Sequence, residues 1–573
     1  MIGREGLRLD ATRVAIAALL LFYIGVEIRW VALYRRGGLL DIDEAGFLAI
    51  AFKDYLALRA EGWLAWLAAI VSPSQQAPLT TALTSLLFAA FGPHIVLGFA
   101  VPVAAMIVTI IATYFLARSL AGNPAGVLSA ALVATTPLLV NFSRDFQFGV
   151  VATSITTLAL LALVGSDRLG KWPAAIAFGV LVGLMPLART MTIAFVPGLL
   201  LAAGAAALSA QEGRLMRLAR LTVGGTIAAG VAASWLWFNG DYVAHYLLDA
   251  GYGARAVEYG RARGPTEAIT ARLLRLVQAF NLPIAMVITL GLIFGLGVIL
   301  VAMAAKPDRR RNAARLLGSP IATLAIFSVC GLLALASSQN VGAAFEAPLL
   351  PPICVMAVMG LLAVARRPVA TAFVQAIVSL AALVVFVPLI DLGWPLARPV
   401  VVALPYVGAI AVTNGRGIEQ LYETGKGLND KNPGGPLPVA VAQGWWGLYA
   451  LTASKILAAA GDHLVAYGMR GVMYNINTVE LASLATTGRS IKATQISPIE
   501  TGAGVAGYTA WLATGEAAAA CVLLTSRGTE GELAPPPDTP NLEQAAQLSG
   551  FTVKDSWPTP SGRTVEMWVR SCR

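Results

Sequence analysis

Charge is scarce in this chain. Asp, Glu, Lys and Arg make up 13% of its 573 residues against 57% apolar ones, which excludes an ordinary soluble globular protein and points to a polytopic membrane protein. Cysteine is scarcer still. Four residues cannot build a disulfide framework, and Cys330 and Cys354 fall inside apolar runs, where they read as small core residues. Cys521 and Cys572 lie in a polar C-terminal segment and can pair if that segment is exported, although sequence does not say whether they approach each other. The three histidines, His94, His245 and His463, lack metal-ligand spacing, so no zinc site is expected. A net charge of +10 would suit nucleic acid, but the basic residues form short clusters between apolar spans. That pattern is one of topology, and no nucleic-acid partner is expected. After the first span, no apolar segment carries an ionisable residue at its centre, which argues against an ion-coupled transporter.

What is abundant is apolar sequence. It predicts about 11 transmembrane helices, at 14–33, 95–117, 126–140, 148–164, 173–187, 191–208, 223–238, 282–304, 319–336, 349–365 and 369–390; several fall short of the usual span of about 20 residues. The first reads as an uncleaved anchor. Arg118, Arg168/Lys171, Arg214/Arg217/Arg220, Lys306 with Arg309 to Arg311 and Arg315, and Arg366/Arg367 all fall on the side of the N-terminus, which places that terminus in the cytoplasm. An odd number of spans then sends the C-terminal region outside. Residues 1–390 form the membrane domain in this reading and 391–573 an exported α/β domain. The outer loops of the membrane domain cover 35–93 and 239–281. In the first of them, Phe47 to Leu67 reads as an amphipathic interfacial helix whose Lys53 and Arg59 meet lipid headgroups. In the C-terminal domain, Pro438 to Ala442, Lys492 to Ile496 and Cys521 to Thr525 read as strands. Phe551 to Trp557 and Arg563 to Arg570 read as a hairpin.

The candidate chemistry crowds the predicted outer boundary. Asp41, Asp43 and Glu44 place three carboxylates in four positions, a self-repelling cluster that calls for a cation, a proton transfer or a substrate hydroxyl. The alternative is a helix N-terminus, with Asp41 as cap and Glu44 as its capping-box partner. Arg144 and Asp145 are adjacent and form either an interfacial ion pair or part of a site. Arg189 lies in a very short connection, where its guanidinium either grips a lipid phosphate or snorkels to the headgroups. Tyr252, Arg255 and Tyr259 share a helical face, suited to a sugar phosphate or to an ordinary aromatic belt. Glu346 either lines a pocket or caps the helix beginning near Pro348. Carboxylates from two loops are ligands that Mg or Mn prefers, so Asp43 and Asp145 would hold a divalent cation if one takes part.

In their order, Asp43-Glu44-Ala45, Ser143-Arg144-Asp145, Pro186-Leu187-Ala188-Arg189-Thr190 and Phe345-Glu346-Ala347-Pro348-Leu349-Leu350-Pro351 resemble the GT-C integral-membrane glycosyltransferases. The chain is most similar to the protein O-mannosyltransferases and the aminoarabinose lipid A transferases. The resemblance implies a GT-C membrane domain in a bacterial cytoplasmic membrane. It implies transfer of one sugar from a polyprenyl-phosphate donor to a lipid, polysaccharide or protein acceptor on the outer face, without nucleotide sugars. It implies Asp43 as general base, assisted by Asp145 and Glu44, with Arg144, Arg189 and Arg255 as phosphate grips. There is one departure: aminoarabinose transferases tend to carry Arg where this chain has Gly46. A non-catalytic lipid transporter or flippase is the rival reading.

Overall fold

A computed structural model gives the fold. It describes residues 11–36, 38–210, 212–253, 256, 264–304, 316–340, 345–365, 367–390, 400–405, 408–413, 439–497, 504–528, 532, 536–560 and 562–572.

The chain opens with α1 (Ala11–Tyr34), α2 (Ile42–Glu61), α3 (Trp63–Ile70) and α4 (Leu79–Phe91). There follow α5 (Ala100–Thr135), α6 (Pro137–Ser143), α7 (Gly149–Gly165), α8 (Trp172–Ala188) and α9 (Val196–Leu208). Two long helices, α10 (Arg214–Tyr252) and α11 (Pro265–Ala304), precede α12 (Pro320–Ser337), α13 (Leu350–Val364) and α14 (Pro368–Ile390). Among the described residues, eight helices are long and apolar enough to cross a membrane, and α7 and α8 are shorter apolar helices. The protein is thus a multi-pass membrane protein. Each expected span falls on a helix. Two of them, 95–117 and 126–140, lie along α5 and α6, and α5 breaks at Ala121 and Gly122. Gly122 has φ +82°, which a glycine adopts without strain, and Pro124 lacks the N–H needed to continue the ladder across the break. The span at 282–304 is the second half of α11, bent where Asn281 leaves helical geometry two residues before Pro283.

The residues fall into two compact units, and these cut across the linear division at 390. One comprises Met1–Ile28, Val71–Thr80 and Ala100–Arg416; the other comprises Arg29–Ile70, Thr81–Phe99 and Gly417–Arg573. The acid-bearing segment therefore folds with the C-terminal residues.

In the first unit, α5 packs on α7 and α13, α8 on α7 and α10, and α11 on α13. Lipid tails are as apolar as the side chains, so close backbone approach has to hold such helices together. Small residues permit it. A Cβ on Gly183 would sit 2.6 Å from the Ala228 carbonyl oxygen, and one on Gly360 would overlap the Gly291 carbonyl. Also in this unit, β1 (Val400–Leu404) pairs antiparallel with β2 (Gly408–Thr413).

The C-terminal residues of the second unit form α15 (Val439–Ala460), β3 (Val465–Tyr467), α16 (Ile476–Thr487), β4 (Ala493–Gln495), α17 (Gly504–Ala513), β5 (Val522–Ser526), α18 (Thr539–Leu548), β6 (Thr552–Pro558) and β7 (Thr564–Val569). The sheet order is β4-β3-β5-β7-β6. β3 runs parallel to β4 and β5, and β7 antiparallel to β5 and β6. The expected strands at 492–496 and 521–525 and the expected hairpin are present. The strand expected at 438–442 is not: Val439 to Ala442 open α15. Five apolar-rich residues do not reveal their period, and the helix becomes evident only over a longer window. Ala466, Tyr508, Trp511, Leu523, Leu542 and Trp568 lie in the core. Cys521 and Cys572 form a disulfide.

The tight glycine crossing gives a first prediction. Gly360→Ala should lower stability by about 1–3 kcal/mol, read as thermal unfolding in detergent. Gly297→Ala, which points into open space, should leave stability unchanged or slightly raised.

Candidate active site

The acid cluster resolves into three different fates. Asp41 is the N-cap of α2: its Oδ1 accepts from the Glu44 amide at 2.8 Å, while Glu44 Oε2 accepts from the Asp41 amide at 3.1 Å. The capping box is therefore present, and it satisfies amides that a helix start otherwise leaves unpaired. Glu44 is consumed a second time. Arg35 donates from Nη2 to Glu44 Oε1 at 2.6 Å and from Nη1 to Oε2 at 3.2 Å, both side chains being fully buried. Nη1 also donates to the Leu39 carbonyl at 2.8 Å, and the guanidinium stands over the rings of Phe99 and Trp30. Glu44, expected to assist catalysis, is bonded to Arg35 and to the Asp41 amide. Arg35 was not among the residues singled out from sequence, although the Arg35-Arg36 pair just before the acid cluster is a usable signal.

Asp43 differs from both. It is exposed, and no hydrogen bond or ion pair joins it to the described residues. Loss of bulk water around its carboxyl, and then the charge of Glu44, raise its pKa. The carboxylate is reached by solvent yet partly withdrawn from bulk water. This is the environment that makes an acid a better proton acceptor.

α2 does not behave as a free amphipathic helix. It packs on α16, with Lys53 3.0 Å from Glu480 Oε1, so Lys53 meets a carboxylate where a headgroup was expected. Asp54, which faces Thr81, is buried, and its Oδ2 has no bonded partner among the described residues. Burial pushes its pKa from 3.8 to about 7, against the lowering effect of the Thr81 hydrogen bond. The Asn477 side chain of α16 donates to the Ile42 carbonyl at 2.7 Å.

In the first unit, the remaining candidates separate in the same way. Arg144 donates from Nε and Nη2 to Glu27 of α1 at 2.9–3.2 Å, with both side chains buried. The residue expected as a phosphate grip is thus paired with Glu27. Asp145 is buried as well. Glu346 accepts from Arg272 Nη1 at 2.6 Å, again with both side chains buried, and Arg272 also donates to the Asn340 carbonyl. Glu346, expected to bind substrate, is paired with Arg272. Arg189 is partly accessible, and its guanidinium lies 4.8 Å from the Phe345 ring centre, with Arg272 5.4 Å from the same ring. Both guanidiniums lie within cation–π reach of that ring, and Arg272 is the one already paired with Glu346. Tyr252 is exposed and hydrogen-bonds Ser337 at 3.2 Å. Arg255 and Tyr259 lie outside the described residues.

Asp43 and Asp145, the carboxylates considered for a divalent cation, belong to different compact units. The metal-ligand cluster found among the described residues is His463, Cys521 and Cys572, and the disulfide occupies two of its three donors.

A family model described as dolichyl-phosphate-mannose-protein mannosyltransferase matches residues 75–238. The fold is similar to crystal structures of ArnT from Cupriavidus metallidurans. The apo structure aligns at TM-score 0.57 and 14% identity, over 97% of this chain and 98% of that one. The structure bound to undecaprenyl phosphate aligns at TM-score 0.55 and 14% identity, over 96% and 98%. No curated protein matches the chain by sequence. At this identity the likeness establishes the fold, a helical GT-C-type membrane protein with a C-terminal α/β region. The resemblance drawn from the sequence motifs stands.

Two predictions follow from the buried acids. Arg35→Ala leaves Glu44 buried without its cation and should cost about 3–5 kcal/mol of stability, measured by thermal unfolding. Asp54 has a folded-state pKa above its unfolded one, so its favourable contribution holds below about pH 4 and is lost as pH rises toward 7. Asp54→Asn should therefore be more stable than the parent at pH 8, by roughly 1–4 kcal/mol as read from thermal unfolding, with the gain vanishing at pH 4.

Proposed function

We propose that this protein is an inverting glycosyltransferase that moves one sugar from a polyprenyl-phosphate carrier to an acceptor hydroxyl. The observation that carries the reading is the division of labour among the first-loop acids. Asp41 and Glu44 are spent on capping and on Arg35, and Asp43 is left accessible, with a raised pKa and no described partner.

An alcohol is a weak nucleophile until its proton has somewhere to go. Asp43 takes that proton as the acceptor oxygen attacks the anomeric carbon. The bond from that carbon to the phosphate oxygen breaks, its electron pair leaves with the polyprenyl phosphate, and configuration inverts. The phosphate already carries charge and departs without an acid, but the charge developing on it favours a preorganised cation. Arg189, partly accessible beside Phe345 in the first unit, is the candidate phosphate grip, and Asp145 the candidate helper, that the sequence motifs imply. The step as written consumes no metal; a divalent cation, if used, would bind carboxylate oxygens of Asp43 or Asp145.

In this reading the basic clusters favour a cytoplasmic N-terminus, with the transfer on the outer face of a bacterial inner membrane. The Cys521–Cys572 disulfide supports export of the C-terminal residues, because such bonds persist in oxidising compartments. ArnT has been crystallised with undecaprenyl phosphate, and the matching family model names a dolichyl-phosphate sugar; both favour a lipid-phosphate donor here.

The test is transfer of radiolabel by reconstituted protein from a set of undecaprenyl-phosphate sugars to envelope lipid, polysaccharide and protein fractions. Transfer is expected for one donor. Asp43→Asn should reduce it by about a thousandfold or more while leaving donor binding intact. The acidic limb of the kcat/KM profile should lie above the usual Asp range, because Asp43 must be ionised and its pKa is raised. Movement of intact donor across the bilayer with no transfer from any sugar would replace this reading with the flippase one.

A further inference from the structure

The helix start that carries Asp43 has a support in the C-terminal residues of the same compact unit. Asn477 lies in the first turn of α16, where Asn475 is the N-cap and accepts from the amides of Asn477 and Thr478 at 2.9 and 3.1 Å. The cap fixes the Asn477 backbone. From that anchored position the side-chain amide donates to the Ile42 carbonyl at 2.7 Å. Gly46 lies against the same amide: a Cβ there would be 2.9 Å from Asn477 Nδ2 and 3.3 Å from Cγ.

We propose that Asn477 is a positioning residue for Asp43, acting through the Ile42–Asp43 peptide, and that Gly46 is the clearance that lets it in. The inference rests on the reading of Asp43 as base. The peptide unit is planar, so a hydrogen bond that holds the Ile42 carbonyl also holds the Asp43 amide nitrogen and narrows the directions open to its side chain. The capping box and Arg35 fix the helix start from its other side. Asp43 has no described bond of its own, so its aim is set through the backbone. Glu480, one turn further along α16, continues the same contact through Lys53, and it also accepts from the Ile491 amide at 2.6 Å.

Full-length protein in nanodiscs tests this by hydrogen exchange over residues 41–47 and by turnover in the sugar-transfer assay. Asn477→Ala should speed exchange there about tenfold and lower kcat about ten- to a hundredfold, with KM for the lipid donor unchanged. Asn477→Asp keeps the shape but cannot donate, and it should show the same loss. Gly46→Ala should displace Asn477 and cause a similar loss. In the Asn477→Ala background, however, it should add almost nothing, since the methyl then has no partner to displace. Wild-type exchange and kcat in Asn477→Ala, or full additivity of the two changes, overturns the proposal. Asp43→Asn run alongside separates the two failures. If it is inactive while Asn477→Ala is wild-type, the support role alone falls; if it is active, both fall.

Discussion

A guanidinium and a carboxylate buried together set the terms for the first loop. Neither Arg35 nor Glu44 touches solvent, and removing two ions from water is tolerable only if nearly every donor and acceptor is met. Leu39, the Asp41 amide and the two carboxylate oxygens supply those partners. To make these bonds the chain must turn between Arg35 and Glu44 and start a helix at Ile42. Once it does, Glu44 points inward, Asp41 is drawn onto the helix end, and Asp43 is the acid left facing out. The accessible carboxylate is thus a consequence of the buried pair.

The same logic recurs in the first unit and explains which expectations held. Glu27 with Arg144 and Glu346 with Arg272 are buried pairs whose members lie 117 and 74 residues apart in the chain. A sequence shows that Arg144 and Glu346 are ionisable and close to span ends; it does not show a partner so distant. Both were assigned to substrate for that reason. What operates over short range was legible. The apolar runs fell on helices, eight of them long enough to cross a membrane among the described residues, the spacing of Asp41 and Glu44 offered the capping box as an alternative to chemistry, and turn residues marked the hairpin of β6 and β7. Val439 to Ala442 failed the same test because the run was too short to declare a period.

Gly46 shows how a departure from a resembled pattern acquires a physical meaning. Along the sequence it is a place where a cation of the related enzymes is lacking. In the fold it is the gap occupied by Asn477, a residue 435 positions from the carbonyl that it holds. No local rule connects the two, and only the grouping of 29–70 with 417–573 brings them together.

The contrast between a transferase and a flippase turns on what an unpartnered carboxylate is good for. A site that only receives and releases a phosphate headgroup is best lined with cations, and an exposed acid in it repels the ligand at every encounter. An acid is tolerated where its proton affinity is used. Asp43 is accessible, raised in pKa and left out of a loop that pairs both of its neighbouring acids. Protein folding alone would favour pairing it too, or replacing it by a neutral side chain, since its desolvation and its repulsion from Glu44 both work against the folded state at neutral pH. A cost of that kind, at a helix start whose other two acids are both bonded, fits the general base proposed above better than headgroup passage.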